Sequence, residues 1–348
     1  MRIDIPLSCP VPLKHSTVQL AHGGGGRLMR QLIEEVFLEP LPASPLMERH
    51  DSAVVPLGAE RLALTTDSYV VTPRFFPGGD IGRLAVYGTV NDLAMAGARP
   101  LYLSAGFILE EGLALEELRR VVASLREAAR ECGVRLVTGD TKVVDRGKAD
   151  GLFLNTTGVG RVPSGRSVHP LRVRPGDVVL VSGDVGRHGI AVLSVREGIA
   201  FETPIQSDCA PLTPLVEALF DAGVDVHCLR DTTRGGLASA LNEIALDGGV
   251  GLVLEESAVP VDEGVEGACE LLGLDPLYVA CEGRMVAFVP APQAEAALKA
   301  LRGHPLGAGA ARIGRVTEAH PGQVSLRTRL GGHRLLDLLS GEQLPRIC

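Results

Sequence analysis

Leu84-Ala85-Val86-Tyr87-Gly88-Thr89-Val90-Asn91-Asp92-Leu93-Ala94-Met95-Ala96-Gly97-Ala98 decides how this chain is read. The run is apolar and helical in character, and only Asn91 shares the strong polarity of Asp92 within it. An ionised carboxylate in such a segment must be paired or must hold a metal, because burying it alone costs too much. Asp80 is placed to cap a helix from about Gly82 to Gly97, which Arg99-Pro100 closes.

Outward from this helix the chain alternates between strand and helix patterns. Arg61–Thr66 and Tyr69–Val71 read as strand before it, with Leu101–Leu109, Val134–Thr138 and Leu152–Val159 after it. Leu28, Met29, Leu32, Ile33, Val36 and Phe37 fall on one helical face, and Leu115, Leu118, Val122, Leu125 and Ala129 on another that Gly133 ends. A start bearing Pro6, Pro10 and Pro12 reads as irregular. Pro163 to Pro175 breaks the pattern, and Arg174-Pro175-Gly176-Asp177 turns into the strand Val178–Val181. Beyond it helices are expected near Gly189–Glu197, Pro214–Asp221, Gly236–Leu246 and Ala294–Leu301, with strands near Val250–Leu254 and Met285–Val289. Two such halves point to paired α+β domains with antiparallel sheets, although a doubly wound sheet reads much the same way. The expected divisions are 1–162, 163–330 and a mobile tail 331–348, with a short amphipathic piece at Leu335, Leu336, Leu338 and Leu339 and a hinge at Gly341.

Other acids also stand in unusual places. Asp67 follows Leu62-Ala63-Leu64-Thr65-Thr66, Asp51 precedes Ser52-Ala53-Val54-Val55, and Asp140 sits in Thr138-Gly139-Asp140-Thr141-Lys142 after a strand. Asp231 precedes Thr232-Thr233-Arg234-Gly235-Gly236. Singly each is a cap or a turn residue, and Asp80 and Asp231 are plausible caps. As a set at strand ends they suit Mg²⁺, which takes few carboxylates together with water and substrate phosphates. His22-Gly23-Gly24-Gly25-Gly26-Arg27 opens onto a helix, and consecutive glycines let backbone N–H groups turn around an anion. The segment matches neither the P-loop nor the dinucleotide fingerprint. Lys142 is placed to neutralise a transferring phosphate, with a surface ion pair as the default, and Glu282 is either a turn residue or a general base of raised pKa.

The chain stops at Leu344-Pro345-Arg346-Ile347-Cys348. A thiol at a chain end is either an accident on a frayed tail or a nucleophile on a tether, starting from an ordinary pKa of roughly 8.5. The seven cysteines are scattered without a CxxC pair, which argues for a reducing compartment and against a disulfide framework or a thiolate zinc site. No apolar run is long enough for a membrane span and no leader pattern is present, so a cytoplasmic location is expected. A net charge of −8 and the absence of Trp make nucleic acid a poor partner.

Taken together, Ala21–Arg27, Thr65–Val71, Phe75–Gly82, Gly88–Met95, Gly139–Val144, Asp231–Gly236 and the ending Leu344–Cys348 resemble the HypE family of hydrogenase maturation factors, within the aminoimidazole ribonucleotide synthetase (PurM-like) superfamily. The resemblance covers nearly the whole chain. It implies two α+β halves, an N-terminal sheet that forms a shared barrel in a homodimer, a C-terminal α/β sandwich half and a flexible tail. It also implies that ATP dehydrates a carbamoyl group on the terminal cysteine to a thiocyanate, supplying cyanide for the iron of [NiFe]-hydrogenase. The carbamoyltransferase HypF would load the thiol and the HypC–HypD complex would take the product. On this resemblance Cys348 bears the substrate, Glu282 is the base and Lys142 stabilises charge. Asp51, Asp67, Asp92, Asp140 and Asp231 would serve Mg²⁺ and ATP, with Thr141 beside them, and His22 to Gly26 would close over the phosphates. Arg187 stands where the family is expected to carry an acid, which weakens any role for its loop, including phosphate contact by His188.

Two other readings compete. One keeps the fold for a selenophosphate synthetase, a thiamine-phosphate kinase or a purine-pathway synthetase, but Cys9 and Lys14 are too far apart for the first and none gives Cys348 a purpose. The other is a non-catalytic scaffold whose tail is a docking peptide.

Overall fold

The computed structural model describes residues 17–38, 50–199, 204–339, 344 and 346–348. The proline-bearing start, Cys9, Lys14 and the hinge at Gly341 lie outside the described residues.

The first half runs α1 (Arg27–Leu32), β1 (Ala53–Leu57), β2 (Glu60–Tyr69), the short pair β3 (Phe75–Phe76) and β4 (Gly79–Asp80), and α2 (Ile81–Met95). It continues through β5 (Arg99–Glu110), α3 (Leu115–Glu131), β6 (Arg135–Val144) and β7 (Leu152–Arg161). Asp80 does cap α2, accepting from the backbone N–H groups of Gly82 and Arg83. The main sheet has the order β1-β2-β7-β5-β6. β5 and β6 are parallel because α3 carries the chain back over the sheet, so the sheet is mixed rather than antiparallel throughout.

One face of this sheet is covered and the other is bare. Tyr69, Leu103, Ala105, Leu152 and Leu154 pack with α2 and α3 in one core. On the opposite side Leu64, Tyr102 and Ile108 are exposed, Ile108 by 43%. Period-two alternation puts these two sets on opposite faces.

The second half contains β8 (Asp177–Val181), α4 (Arg187–Arg196), α5 (Thr213–Asp221), β9 (Cys228–Asp231), α6 (Gly236–Gly248), β10 (Gly251–Glu255) and α7 (Glu263–Leu272). It ends with β11 (Met285–Pro290), α8 (Ala294–Arg302), β12 (Ala311–Thr317), β13 (Val324–Arg327) and β14 (His333–Leu336). Its sheet, ordered β14-β13-β10-β12-β8-β11-β9, is also mixed, since β10 and β13 are parallel. Both faces are covered at its centre. Val179, Val181, Val286 and Phe288 pack toward α6, while Val178, Leu180, Met285, Ala287 and Val289 pack toward α5 and α8. Such continuous apolar strands are the mark of a sheet buried on both sides.

α2 lies between the halves, touching β2, β7 and β5 on one side and β9 and α5 on the other. That is why it is apolar on nearly every face. Three local expectations differ from the structure. Asp67 and Asp140 lie inside β2 and β6 rather than after them. The helix begun by α1 widens to π-helical turns over Ile33–Leu38, which take Val36 and Phe37 off the apolar stripe and into exposure. The amphipathic piece of the tail is extended, with Leu335 and Leu336 in β14.

Candidate active site

Three aspartates converge where the halves meet. Asp51 precedes β1, Asp92 lies on α2 and Asp231 ends β9, and one oxygen from each lies within 4.8 Å of the others. Thr65 Oγ1 donates to Asp92 at 2.7 Å, and Arg230 Nε lies 2.9 Å from Asp51 Oδ1. Asp51 Oδ2 and Asp231 Oδ2 are buried without a hydrogen-bond partner. Burial raises all three carboxyl pKa values, that of Asp231 to about 6, and neighbouring carboxylates add to the rise for each. Asp231 does not cap α6, whose N-terminus begins at Gly235. Two orphaned anionic oxygens within a triad of repelling carboxylates fit a divalent cation with oxygen ligands.

The triad lines a cavity of about 430 Å³, with Asp67 and Arg234 on the same wall. Arg234 Nη2 lies 3.8 Å from Asp67 Oδ1. A second cavity of about 280 Å³ holds Cys348, and Arg234 lines this one too. The glycine run divides between them, Gly25 and Gly26 on the acidic cavity and Gly23 and Gly24 on the cysteine cavity. His22 borders neither, and its Nδ1 accepts from the Gln19 N–H at 2.8 Å. Gly25 has φ +72°, and a Cβ there would come within 2.7 Å of the Arg234 carbonyl oxygen. The loop therefore packs directly on the turn that carries Arg234, and Arg27 N–H donates to the Leu339 carbonyl at 3.0 Å on its other side.

Glu282 is buried and lines neither cavity, but its charge is felt at Cys348 and Arg234, and its Oε1 has no hydrogen-bond partner. Asp208 fixes its backbone by accepting from the N–H groups of Glu282 at 3.3 Å and Gly283 at 3.1 Å. Burial pushes the Glu282 pKa well up, Asp231, Asp67 and Asp208 push it further, and Arg234 opposes them. A carboxyl so placed holds a proton more tightly than an exposed glutamate and is a candidate for proton exchange with a bound group.

The chain end is seated against the same wall. Val70 N–H donates to Cys348 O at 3.0 Å, and Thr72 N–H to Arg346 O at 3.3 Å. His188 Nε2 lies 2.8 Å from Ile347 O, and Arg196 Nη2 donates to Arg346 O at 2.8 Å. The Arg346 guanidinium pairs with Asp150 and donates through Nε to Val70 O at 3.1 Å. Burial pushes the Cys348 thiol pKa up to about 12, with Arg234 opposing and Glu282, Asp67 and Asp231 adding to the rise.

Cys348, Glu282, Asp67, Asp51, Asp92, Asp231 and four of the loop residues are thus brought together. Asp140, Thr141 and Lys142 are not. They lie on β6, exposed, with Lys142 Nζ 3.2 Å from Asp140 Oδ2, and they line neither cavity. Arg234, Arg230 and His188 belong to the site although sequence reading gave them no firm role. Arg234 was visible as the one cation between Asp231 and two glycines; nothing in the sequence links His188 to the chain end.

Residues 49–162 match the family described as AIR synthase related protein, N-terminal domain, and residues 174–327 match its C-terminal domain. The chain is 55% identical to the carbamoyl dehydratase HypE of Azotobacter vinelandii over 97% of this chain and 98% of that one. A crystal structure of the maturation protein HypE in complex with ATP superimposes with a TM-score of 0.81 at 52% identity, covering 95% of this chain and 100% of that one. The structure of a HypE–HypF complex superimposes with a TM-score of 0.84 at 46% identity, covering 88% of this chain and 99% of that one. No helix among the described residues is long and apolar enough to cross a membrane.

Proposed function

The chain belongs to the HypE family of ATP-dependent carbamoyl dehydratases, and from that premise we propose that its own terminal thiol carries the group it dehydrates. The supporting observation is the seating of Cys348 in a cavity that shares Arg234 with the triad cavity, beside the unpartnered carboxyl of Glu282.

The reaction balances as a carboxamide losing water. The substrate is an S-carbamoyl group on Cys348. Its amide oxygen attacks the γ-phosphorus of ATP, the β,γ P–O bond breaks, and ADP leaves. The oxygen is then a phosphate ester in place of a poor leaving group. Loss of the two N–H protons and of phosphate leaves an S–C≡N group on Cys348, with ADP and phosphate as the other products. Glu282 takes a proton as phosphate departs, and Arg234 opposes the negative charge that builds on the transferring group. Asp51, Asp92 and Asp231 would hold Mg²⁺, with Asp67 on the nucleotide side; the ion would screen the ATP phosphates and bring them to the cavity. Gly23 to Gly26 offer backbone N–H groups along the path between the two cavities, and His22 orders the turn before them.

Asp140, Thr141 and Lys142 keep their proposed part in nucleotide binding and charge stabilisation through a second subunit. The bare apolar face of the first sheet and the unpaired edge of β6 favour a shared barrel in a homodimer, which would bring these residues to the partner's cleft. Within each chain the division proposed is an ATP-binding half 1–162, a second half 163–330 and a tail 331–348 that leaves its seat. HypF loads the released thiol, and the HypC–HypD complex accepts the cyano group for the iron of a [NiFe]-hydrogenase in the cytoplasm.

ATP consumption tests this reading. Chains loaded with a carbamoyl group on Cys348 should consume one ATP each and stop, while unloaded chains and Cys348→Ser should consume almost none. Sustained turnover with a small phosphorylated metabolite as product would replace it with a kinase of the same fold.

A further inference from the structure

His188 opens α4, is fully buried, and spends both ring nitrogens on named partners. Its Nε2 lies 2.8 Å from the Ile347 carbonyl oxygen and its Nδ1 2.8 Å from Ser207 Oγ. A carbonyl oxygen only accepts, so Nε2 carries the hydrogen. In a neutral ring Nδ1 is then the acceptor, and Ser207 must donate its hydroxyl hydrogen to it. Ser207 Oγ is free to do so because it is itself an acceptor, taking the Cys209 N–H at 3.1 Å. Burial lowers the His188 pKa and keeps the ring neutral, against the charge of Asp208 and the carbonyl of Ile347. The edge of Phe76 fixes the ring plane, with centroids 5.3 Å apart at 88°.

We infer that His188, oriented by Ser207, is a positioning residue that grips the tail by the Ile347 carbonyl and so aims the Cys348 thiol at Glu282 and Arg234. Three successive tail carbonyls, those of Arg346, Ile347 and Cys348, each receive a donor, from Thr72 with Arg196, from His188 and from Val70. Recognition by main-chain atoms leaves the thiol free to change chemically while its backbone stays in register. The grip on Ile347 comes from α4 in the second half, whereas the N–H donors come from residues following β2 in the first, so the seated tail bridges the two. When the tail leaves, the Nε2 hydrogen gives up its Ile347 partner.

The inference rests on the reading of Cys348 as substrate carrier, but its first test does not. Iodoacetamide labelling of Cys348 in the full-length protein, read from the mass of the C-terminal peptide without ATP or HypF, reports seating alone. His188→Asn retains an acceptor near the Nδ1 position but cannot reach Ile347, and should label at least tenfold faster than wild type. His188→Gln places an amide N–H near the Nε2 position and should restore slow labelling. Ser207→Ala leaves the tautomer unfixed and should label at an intermediate rate. In carbamoyl-loaded chains, dehydration should fall at least tenfold in His188→Asn and recover in His188→Gln, with ATP binding unchanged in both. Wild-type protection of Cys348 in both His188→Asn and Ser207→Ala would overturn the inference, as would a Gln variant no better than Asn. Faster labelling with no dehydration by any loaded chain, wild type included, would uphold the grip and sink the proposed chemistry.

Discussion

Asp51, Asp92 and Asp231 are held closer together than like charges favour, and that fixes the sign of their effect on stability. Asp231 has its pKa raised from 3.8 to about 6, so the folded state binds its proton more tightly than the unfolded chain does. Its contribution is complete below the unfolded value and is lost as pH climbs through about 6. A divalent cation bound by the triad would replace the lost protons. We expect Mg²⁺ to raise the melting temperature at pH 8 by on the order of 5 °C and to change it little at pH 5. Asp231→Asn should lose most of that pH-dependent gain; an equal gain in the variant, read by thermal melts in Mg²⁺ against chelator, would remove Asp231 from the cation site. At this scale the sequence was informative where a residue contradicted its surroundings. Asp92 in an apolar helix announced itself, and so did Glu282 between apolar segments. His188 did not, because its partner is 159 positions away and is a main-chain carbonyl.

Elements were legible where periodicity and punctuation agreed. α2 began at its Asp80 cap and ended at Met95, two residues short of the expected end near Gly97. α7 went unread although Asp262 caps it by accepting from Gly264 N–H and Val265, Ala268 and Cys269 share its buried face; its ten residues carry too few apolar positions to stand out. β6 is the more instructive case. Its ten residues include Asp140 and Lys142, and the sequence says nothing of which subunit they serve. As an unpaired edge strand exposing Leu136, Val137 and Val143, it is the element on which assembly should depend. Val143→Lys should therefore yield a monomer by light scattering and should lower dehydration at least tenfold, since Lys142 would no longer reach a partner's cleft. A fully active monomer would show that each chain completes its own site.

Over the whole molecule the fold places one helix, α2, between a half-covered sheet and a fully covered one, and gathers acids from both halves at their junction. Two mixed sheets could not be separated from a doubly wound alternative by element order, because β-strand pairing is set by contacts far apart in sequence. The glycine loop, the Asp231–Gly236 turn and the last residues were each visible, whereas their meeting through Arg234 required the three-dimensional arrangement. That meeting carries the central claim, that the chain end is the enzyme's own substrate handle. The most direct test is the mass of the C-terminal peptide after HypF and carbamoyl phosphate have loaded the thiol and Mg²⁺–ATP has then been added. The account predicts a carbamoyl adduct on Cys348 that becomes lighter by one water in wild type and persists unchanged in Glu282→Gln. A carbamoyl adduct that keeps its mass in the wild-type protein while ATP is consumed would contradict it.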